Sequence, residues 1–552
     1  MAKQKIRIIP LGGLGEVGKN MTVIEWGNDA MIIDTGVMFP ANDMLGVDLI
    51  IPDFRYLIER KDLIIHGILY THGHEDHTGA APYVVDAFRG VPLYATPLTA
   101  ALLEVKLRDA RLHEATTINV FKPGDTLKVG PFRVESFHMT HSIPDCVGFG
   151  ITTPYGIIVH SGDYKFDNTP IDGKKPDYAK LGEFARRGVL LLMGDSTNAE
   201  KPGWTPSESV VNEAFDDIFR QAKERIIVAT FASHISRIQQ VADLAGRYHR
   251  KLAIAGHSMT ENVKMARKMD VLNIPDDMLV ELGRINSISP HQLVIMATGS
   301  QGEPSAVLGR LATGQHRSLD VMEGDTIIIS AHTIPGNEET VSRTINKLFQ
   351  RGADVIYDPI APVHVSGHGS QEEMKLLISL LNPRFFLPIH GELRHLKAHA
   401  KLAMQLGISE NRIFVVENGH VLEVAKHSIH LGERVPGGYV FVDGSGVGDV
   451  GKTVMRDREV LARDGFMMVV VNVDSHTGQV VGDPEIISRG FIYLRDADEL
   501  IDQIKQTVSE VMTNTRQTHN GKRRERLQET LSRMLYNETK RRPMVFSVIH
   551  EN

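Results

Sequence analysis

Short apolar or alternating runs that end in turn residues dominate the first two hundred positions: KIRIIPLGG from Lys5, AMIIDTG from Ala30, LIIHGILYTH from Leu63, FRVESFHMTH from Phe132 and GIIVHSGDY from Gly156. Runs of this length, bounded by glycine, aspartate or serine, predict strands. From about Ser207 to Ala361 the pattern changes. RIIVATF leads into SHISRIQQVADLAGRYHR and then KLAIAG, with QLVIMATG and DTIIISAH following. Strand, helix, strand in that order predicts an α/β unit with parallel strands. The earlier style returns in RFFLPIHGE and RIFVVENG, so the simplest organisation is an α/β insertion that divides a β-rich domain.

The glycine-rich stretch VPGGYVFVDGSGVGDVG, from Val435, predicts a linker. Beyond it FMMVVVNVD predicts strand, and amphipathic helices are expected from about Asp496. The expected division is therefore residues 1–206 and 362–434 for the split domain, 207–361 for the insertion, 435–450 for the linker and 451–552 for a carboxy-terminal domain. A chain of 552 residues exceeds what one core usually supports, which agrees with several domains.

Composition narrows the compartment and the partners. The amino terminus lacks the apolar core of a secretory signal, and no apolar stretch reaches membrane-spanning length, so a cytoplasmic protein with no membrane partner is expected. Cys146 is the single cysteine, which excludes an intramolecular disulfide and any cysteine-based zinc cage. Any metal must then be held by histidine and carboxylate. With 61 Lys plus Arg against 68 Asp plus Glu, the formal charge is −7, so a nucleic-acid ligand would need a local basic groove. GKRRERL from Gly521 and TKRRPM from Thr539 offer basic runs, although such runs are more often solvated helix faces.

The densest chemistry lies in YTHGHEDHTGA, from Tyr70, directly after an apolar run. In an extended segment alternate side chains point the same way, so His72, His74 and Asp76 would converge, with His77 brought in by the following turn. Imidazole and carboxylate together suit zinc, manganese or iron rather than calcium or magnesium. Four donors here, with further histidines and aspartates downstream, exceed the needs of one tetrahedral zinc, so two ions are expected.

This His-x-His-x-Asp-His pattern resembles the signature of the metallo-β-lactamase superfamily. The resemblance implies an αββα sandwich and, residue by residue, adds His141 in MTHSIPD, Asp163 in VHSGDYKF and His390 in LPIHGE. It implies that His72, His74 and His141 hold one Zn or Mn ion, that Asp76, His77 and His390 hold the other, and that Asp163 bridges them. Within the superfamily the insertion resembles the β-CASP domain of nucleic-acid nucleases. PLGGLGEVGKN, TFASHISRIQQ, ATGSQGEP and HVSGHGS together are similar to bacterial ribonuclease J, nearly end to end, including a small α+β carboxy-terminal domain.

That family likeness implies two-metal hydrolysis of single-stranded, 5′-monophosphorylated RNA, 5′ to 3′ with some internal cleavage, in RNA maturation and messenger decay. It implies a substrate pocket made by Ser233, His234, His364, Val365, Ser366, Gly367 and His368. Catalytic roles fall to Asp76, to His368 as proton donor, and to Asp195, in LLMGDSTNA, as the carboxylate that orients it. Glycines in HVSGHGSQEE let backbone amides approach a phosphate, and Ser370 with Glu373 predicts a capping box that starts a helix there. Asp48 and Asp443 are candidates for a structural calcium. A homodimer or homotetramer, pairing with a paralogue, and association with RNA-degradation or ribosome-associated machinery are also implied.

Two rival readings stay open on the residues alone. One is a β-CASP enzyme that acts on DNA or in messenger 3′-end processing. The other is a metal-depleted RNA-binding or assembly subunit, against which the full ligand set argues.

Overall fold

The structure, a computed structural model, describes residues 5–41, 44–334, 337–425, 428–492, 497–516 and 518–551. The chain forms two compact units, Met1–Phe39 with Leu49–Val440, and Pro40–Asp48 with Phe441–Asn552.

In the larger unit two mixed sheets share one core. The first has eight strands in the order Ile429–Arg434, His420–Val424, Ile6–Gly12, Met21–Trp26, Asp29–Ile33, Ile64–Leu69, Leu93–Ala95, Ile118–Val120. The second has six: Phe385–Ile389, Val189–Asp195, Gly156–His160, Val147–Thr153, Phe132–His138, Thr126–Val129. Strand alternation explains the layers. Ile6 and Ile8 join Phe132, Val134 and Phe149 between the sheets, whereas Ile9 and Leu11 pack with the helices Ala81–Ala87 and Pro97–Asp109. Phe137 and Leu192 face the opposite way, onto the helices Tyr178–Arg187, Gln371–Leu381 and Leu393–Gln405. The result is the expected αββα sandwich.

The insertion is a wholly parallel sheet in the order Leu279–Val280, Lys251–Ala255, Leu293–Ala297, Ile226–Ala229, Thr326–Ile329, Asp354–Tyr357. Its central strands read IIVA, LVIMA and TIII because helices cover both faces and leave no polar side. Chain then re-enters the sandwich: Val189–Asp195 and Phe385–Ile389 pair in parallel, with Asp195 opposite Ile389. The insertion thus leaves and rejoins at adjacent strands, and Asp195 and His390 become neighbours.

Two expectations need correction. RIFVVENG forms no strand. Glu410–Arg412 is a 3-10 turn, and Ile413 makes a lone bridge to Phe386 on the edge strand, while Val416 turns into the inter-sheet core. Apolar burial, rather than a ladder, accounts for its hydrophobicity. The segment expected as a linker contains paired backbone, with Val442 opposite Val447 and Asp443 opposite Gly446.

The smaller unit has a sheet in the order Glu485–Arg489, Phe466–Val473, Met544–Glu551. Met467, Val469, Val471 and Val473 point to the helices Asp498–Asn514 and Asn520–Thr539, which contribute Ile504, Val508, Leu527 and Leu531 to the core. Asp496, where helix was expected to begin, lies outside the described residues. Arg523 of the basic run is buried and donates to the Gly478 carbonyl at 3.0 Å, so that run is not wholly a solvated face. Among the described residues no helix is long and apolar enough to cross a membrane.

Candidate metal centre and phosphate loop

The strand Ile64–Leu69 delivers the chain to Thr71 and His72 in the sandwich. Extended backbone stops at His74, which caps a single helical turn, Glu75–Thr78, and accepts at its carbonyl from the amides of His77 (3.1 Å) and Thr78 (2.9 Å). Asp76 and His77 therefore converge through a helical turn, where extended geometry was expected to bring Asp76 round. Asp34, at the end of the neighbouring strand Asp29–Ile33, fixes this arrangement. It accepts from the Thr71 amide and hydroxyl, each at 2.8 Å, and from His77 Nδ1 at 2.8 Å. Gly36 follows because a side chain there would collide with the Asp76 carbonyl, 1.6 Å from the position of a Cβ. Sequence reading passed over Asp34, although an aspartate closing the apolar run AMIID was the available signal.

Seven donors meet at this point. His72 Nε2 and His141 Nε2 lie 3.0 and 3.1 Å from His74 Nδ1. On the other side Asp76, His77, Asp163 and His390 gather, and a third grouping joins Asp163, Asp195, His368 and His390, each set with donor atoms within 4.8 Å of one another. Asp163 Oδ2 sits between them, 3.7 Å from His72 Nε2, 3.8 Å from His141 Nε2, 3.1 Å from His77 Nε2 and 3.6 Å from His390 Nε2. Ring nitrogens and carboxylate oxygens that converge around a shared aspartate fit a pair of divalent cations. The other nitrogens are committed elsewhere. His77 Nδ1 donates to Asp34, His390 Nδ1 to Thr197 Oγ1 at 2.6 Å, and His141 Nδ1 to the Gly367 carbonyl at 2.8 Å. Such outer partners set the tautomer that leaves the inner nitrogen free to coordinate. Thr197, which also donates to Asp195 Oδ1 at 2.8 Å, is a second residue that sequence reading missed.

Electrostatics divide the two halves. Burial holds His72 and His141 well below the ordinary imidazole range and His74 at about 4, so three neutral donors line one side. Burial has the same tendency at His77 and His390, but the Asp163 carboxylate and its neighbours overcome it. They hold His77 well above its ordinary value and His390 at about 10. Asp163, despite its burial, is kept well below the carboxylate range by His390 and His77.

The glycine loop lies against this centre. Gly367 has no room for a side chain, since a Cβ would stand 2.6 Å from the His141 ring. Ser370 and Glu373 form the expected capping box at the start of Gln371–Leu381. Glu373, fully buried, accepts from the amides of Ser370 (2.8 Å), Thr205 (2.7 Å) and Phe166 (2.8 Å). Asn198 donates to Ser366 Oγ at 2.8 Å and to the His368 carbonyl at 2.9 Å. His368 Nδ1 donates to Asp195 Oδ2 at 2.7 Å. Burial acts against protonation of His368, but Asp195 outweighs it and raises the imidazole above its ordinary value.

The remaining substrate candidates divide. His234 and His364 come together, with ring centroids 6.1 Å apart, and each keeps one buried nitrogen without a hydrogen-bond partner, Nε2 in His234 and Nδ1 in His364. Ser233 does not cap the helix Ile235–Arg247, whose cap position is His234. Val365 packs its side chain into the core of the insertion, which leaves its backbone as the part open to a ligand. In the smaller unit, Asp443 pairs with Arg458, and Asp48 accepts from the Gly444 amide at 2.7 Å. Neither belongs to a cluster of metal donors among the described residues.

Comparisons with known proteins agree along the chain. Residues 14–219 match the metallo-beta-lactamase superfamily, 223–348 the ribonuclease J beta-CASP domain, 352–416 the Zn-dependent metallo-hydrolase RNA specificity domain, and 453–552 the ribonuclease J C-terminal domain. The chain is 40% identical to ribonuclease J2 of Bacillus subtilis strain 168 over 551 residues, 99% of each. It is 36% identical to ribonuclease J 2 of Staphylococcus aureus strain NCTC 8325 / PS 47 over 549 residues, 99% of this chain and 98% of that one. A solved structure of a protein of unknown function from Enterococcus faecalis V583 shares the fold at 15% identity, with a TM-score of 0.54 over 76% of this chain and all of that one. With sandwich, insertion and carboxy-terminal domain all accounted for, the chain belongs to the ribonuclease J family, within the metallo-β-lactamase superfamily.

Proposed function

We propose that this protein is a metal-dependent ribonuclease that removes nucleotides from the 5′ end of single-stranded, 5′-monophosphorylated RNA and also cuts internally. The observation that carries the reading is the meeting, at one place, of seven metal donors, the His368–Asp195 pair and the glycine loop with its unpartnered histidines.

His72, His74 and His141 would hold one Zn or Mn ion and Asp76, His77 and His390 the other, with Asp163 shared. When bound, the ions supply an acidified water and a counter-charge for the phosphodiester. The chain's own residues do the rest. His141 joins the centre to the loop through the Gly367 carbonyl, so phosphate position and metal position are set together. The attacking water releases one proton to solvent as its oxygen bonds to phosphorus and the bond from phosphorus to the ribose O3′ breaks. His368, oriented by Asp195 through Nδ1, gives its Nε2 proton to the departing O3′. Each cut leaves a new 5′-monophosphate, which is the group that the loop receives next.

Ser366, Gly367, His364, His234 and Ser233 would receive that terminal phosphate, consistent with the two buried nitrogens that lack hydrogen-bond partners. The metal identity, assembly as a homodimer or homotetramer, pairing with a paralogue and contact with RNA-degradation machinery follow from the same family likeness, and light scattering tests the assembly.

The deciding experiment supplies the purified chain, with manganese or zinc, with monophosphorylated RNA, triphosphorylated RNA and DNA of one sequence. Release of mononucleotides from monophosphorylated RNA supports the reading. Cleavage of DNA with RNA untouched overturns it.

A further inference from the structure

Charge in the smaller unit is unevenly placed. From Arg516 to Arg542 nine lysines and arginines stand against three glutamates, while the rest of Phe441–Asn552 has seven against fourteen acidic residues. The cations are therefore gathered on the helix Asn520–Thr539 and its two ends, in a chain whose formal charge is −7.

Helical periodicity aligns them. Leu527, Leu531 and Leu535 bury one face of the helix in the core of the unit. Lys522, Arg526 and Arg533, at steps of four and seven, fall on the opposite, exposed face, and Lys540 caps the same helix. From Lys522 to Lys540 the row runs about 27 Å, at 1.5 Å per residue. Arg526 meets one carboxylate, Glu529 at 3.8 Å. Lys522, Arg533 and Lys540 meet none among the described residues. Like charges one turn apart, as at Lys522 and Arg526, weaken a helix, and a polyanion laid along the row would remove that repulsion.

The end of the row adds an aromatic ring. Lys540 closes the helix in a left-handed conformation, φ 57°, and turns the chain back. Arg541 anchors the turn, donating from Nη1 to the Phe491 carbonyl at 2.7 Å. Arg542 stays at the surface, its guanidinium 4.4 Å from the centre of the Tyr536 ring, and Tyr536 is itself 38% exposed. A row of cations ending in an open aromatic with its own guanidinium suits single-stranded nucleic acid, where charge meets phosphate and ring meets base. An acidic peptide would use the row and leave the ring idle.

We propose that the helix Asn520–Thr539 and the turn after it form a second, non-catalytic contact for RNA, with Lys522, Arg526, Arg533 and Lys540 on phosphates of the strand and Tyr536 with Arg542 against a base. This rests on RNA as the substrate and goes beyond the metal centre and the glycine loop. The contact reads the length of an RNA and is indifferent to the chemistry of its end.

The test uses the full-length chain: wild type, the triple change Lys522→Gln with Arg526→Gln and Arg533→Gln, and Tyr536→Ala. Fluorescence anisotropy with chelator present reads binding of a single-stranded RNA of about 40 nucleotides, without cleavage, between about 50 and 200 mM salt. The triple change should weaken binding by about tenfold to a hundredfold and lower the slope of log affinity against log salt by about 2, at roughly 0.7 per phosphate contact. Tyr536→Ala should weaken binding about tenfold and leave the slope in place. Turnover of an RNA of about 6 nucleotides, with manganese supplied, should be unchanged in both variants. Unaltered affinity and slope overturn the proposal, as does an equal loss of turnover on the short RNA, which marks a structural role. A changed particle mass in light scattering with RNA affinity intact also overturns it, and gives the row to a second copy of the chain. Failure of the ribonuclease reading shows separately, as RNA bound by the wild type but left uncut with metal present.

Discussion

His368 and Asp195 stand 173 positions apart in the chain and 2.7 Å apart in space, with Nδ1 of the imidazole facing Oδ2 of a fully buried carboxylate. Against the opposing effect of burial, the carboxylate raises the imidazole above its ordinary value and fixes its Nδ1 side. Asp195→Asn and His368→Ala should each lower kcat by about 10²- to 10⁴-fold with little change in KM, since the proton is needed only as the leaving oxygen departs. Steady-state kinetics with metal analysis checks this, and loss of bound metal in both variants would show that they hold the centre rather than the proton.

Asp163 lies between the two sets of imidazoles, so it should matter to both cations. Asp163→Ala, and separately the double change Asp76→Ala with His77→Ala, should abolish turnover and cut metal content. Chelation of the wild type should do the same reversibly, with zinc or manganese restoring activity. Turnover that persists after complete metal removal would refute the assignment.

Glu373 receives three backbone amides from three different segments. Glu373→Ala would leave these donors buried and unanswered, a loss of roughly 1–3 kcal/mol per orphaned group before relaxation. The expected outcome is a lower thermal midpoint together with a raised KM, because the same carboxylate fixes the helix start next to the glycine loop. Glu373→Gln should recover part of both, as its amide oxygen can still accept.

Glu135 gives the molecule an acid limit away from the centre. Hydrogen bonds from Arg187 (2.8 Å), against the opposing effect of burial, and from Lys180 (2.8 Å) pull its pKa from 4.5 to about 2. The folded value lies below the unfolded one, so the stabilisation is complete above pH 4.5 and is lost as pH falls toward 2. Allowing for solvent screening around the partly exposed Arg187 and Lys180, it amounts to roughly 1–2 kcal/mol. Glu135→Gln should flatten denaturation midpoints across that interval, and an unchanged slope would remove Glu135 from the account.

Local chemistry was the legible part of this chain. THGHEDH sits in seven consecutive residues, and the capping box spans four, so both show in sequence order. The parallel insertion was readable because IIVA, LVIMA and TIII are apolar on both faces. Residues whose work depends on distant partners were not. Asp34 matters only through Thr71 and His77, and Thr197 only through His390 and Asp195. RIFVVENG misled because hydrophobicity reports burial, and here burial came without a ladder.

The pairing of Val189–Asp195 with Phe385–Ile389 has a bearing on synthesis. A ribosome that has made the first two hundred residues has released His72, His74 and His141, yet His368 and His390 are still untranslated. A nascent chain beside its own messenger is thus a blunt instrument. Its cutting edge is assembled only after the insertion has been translated and the late strand has slotted in beside the early one.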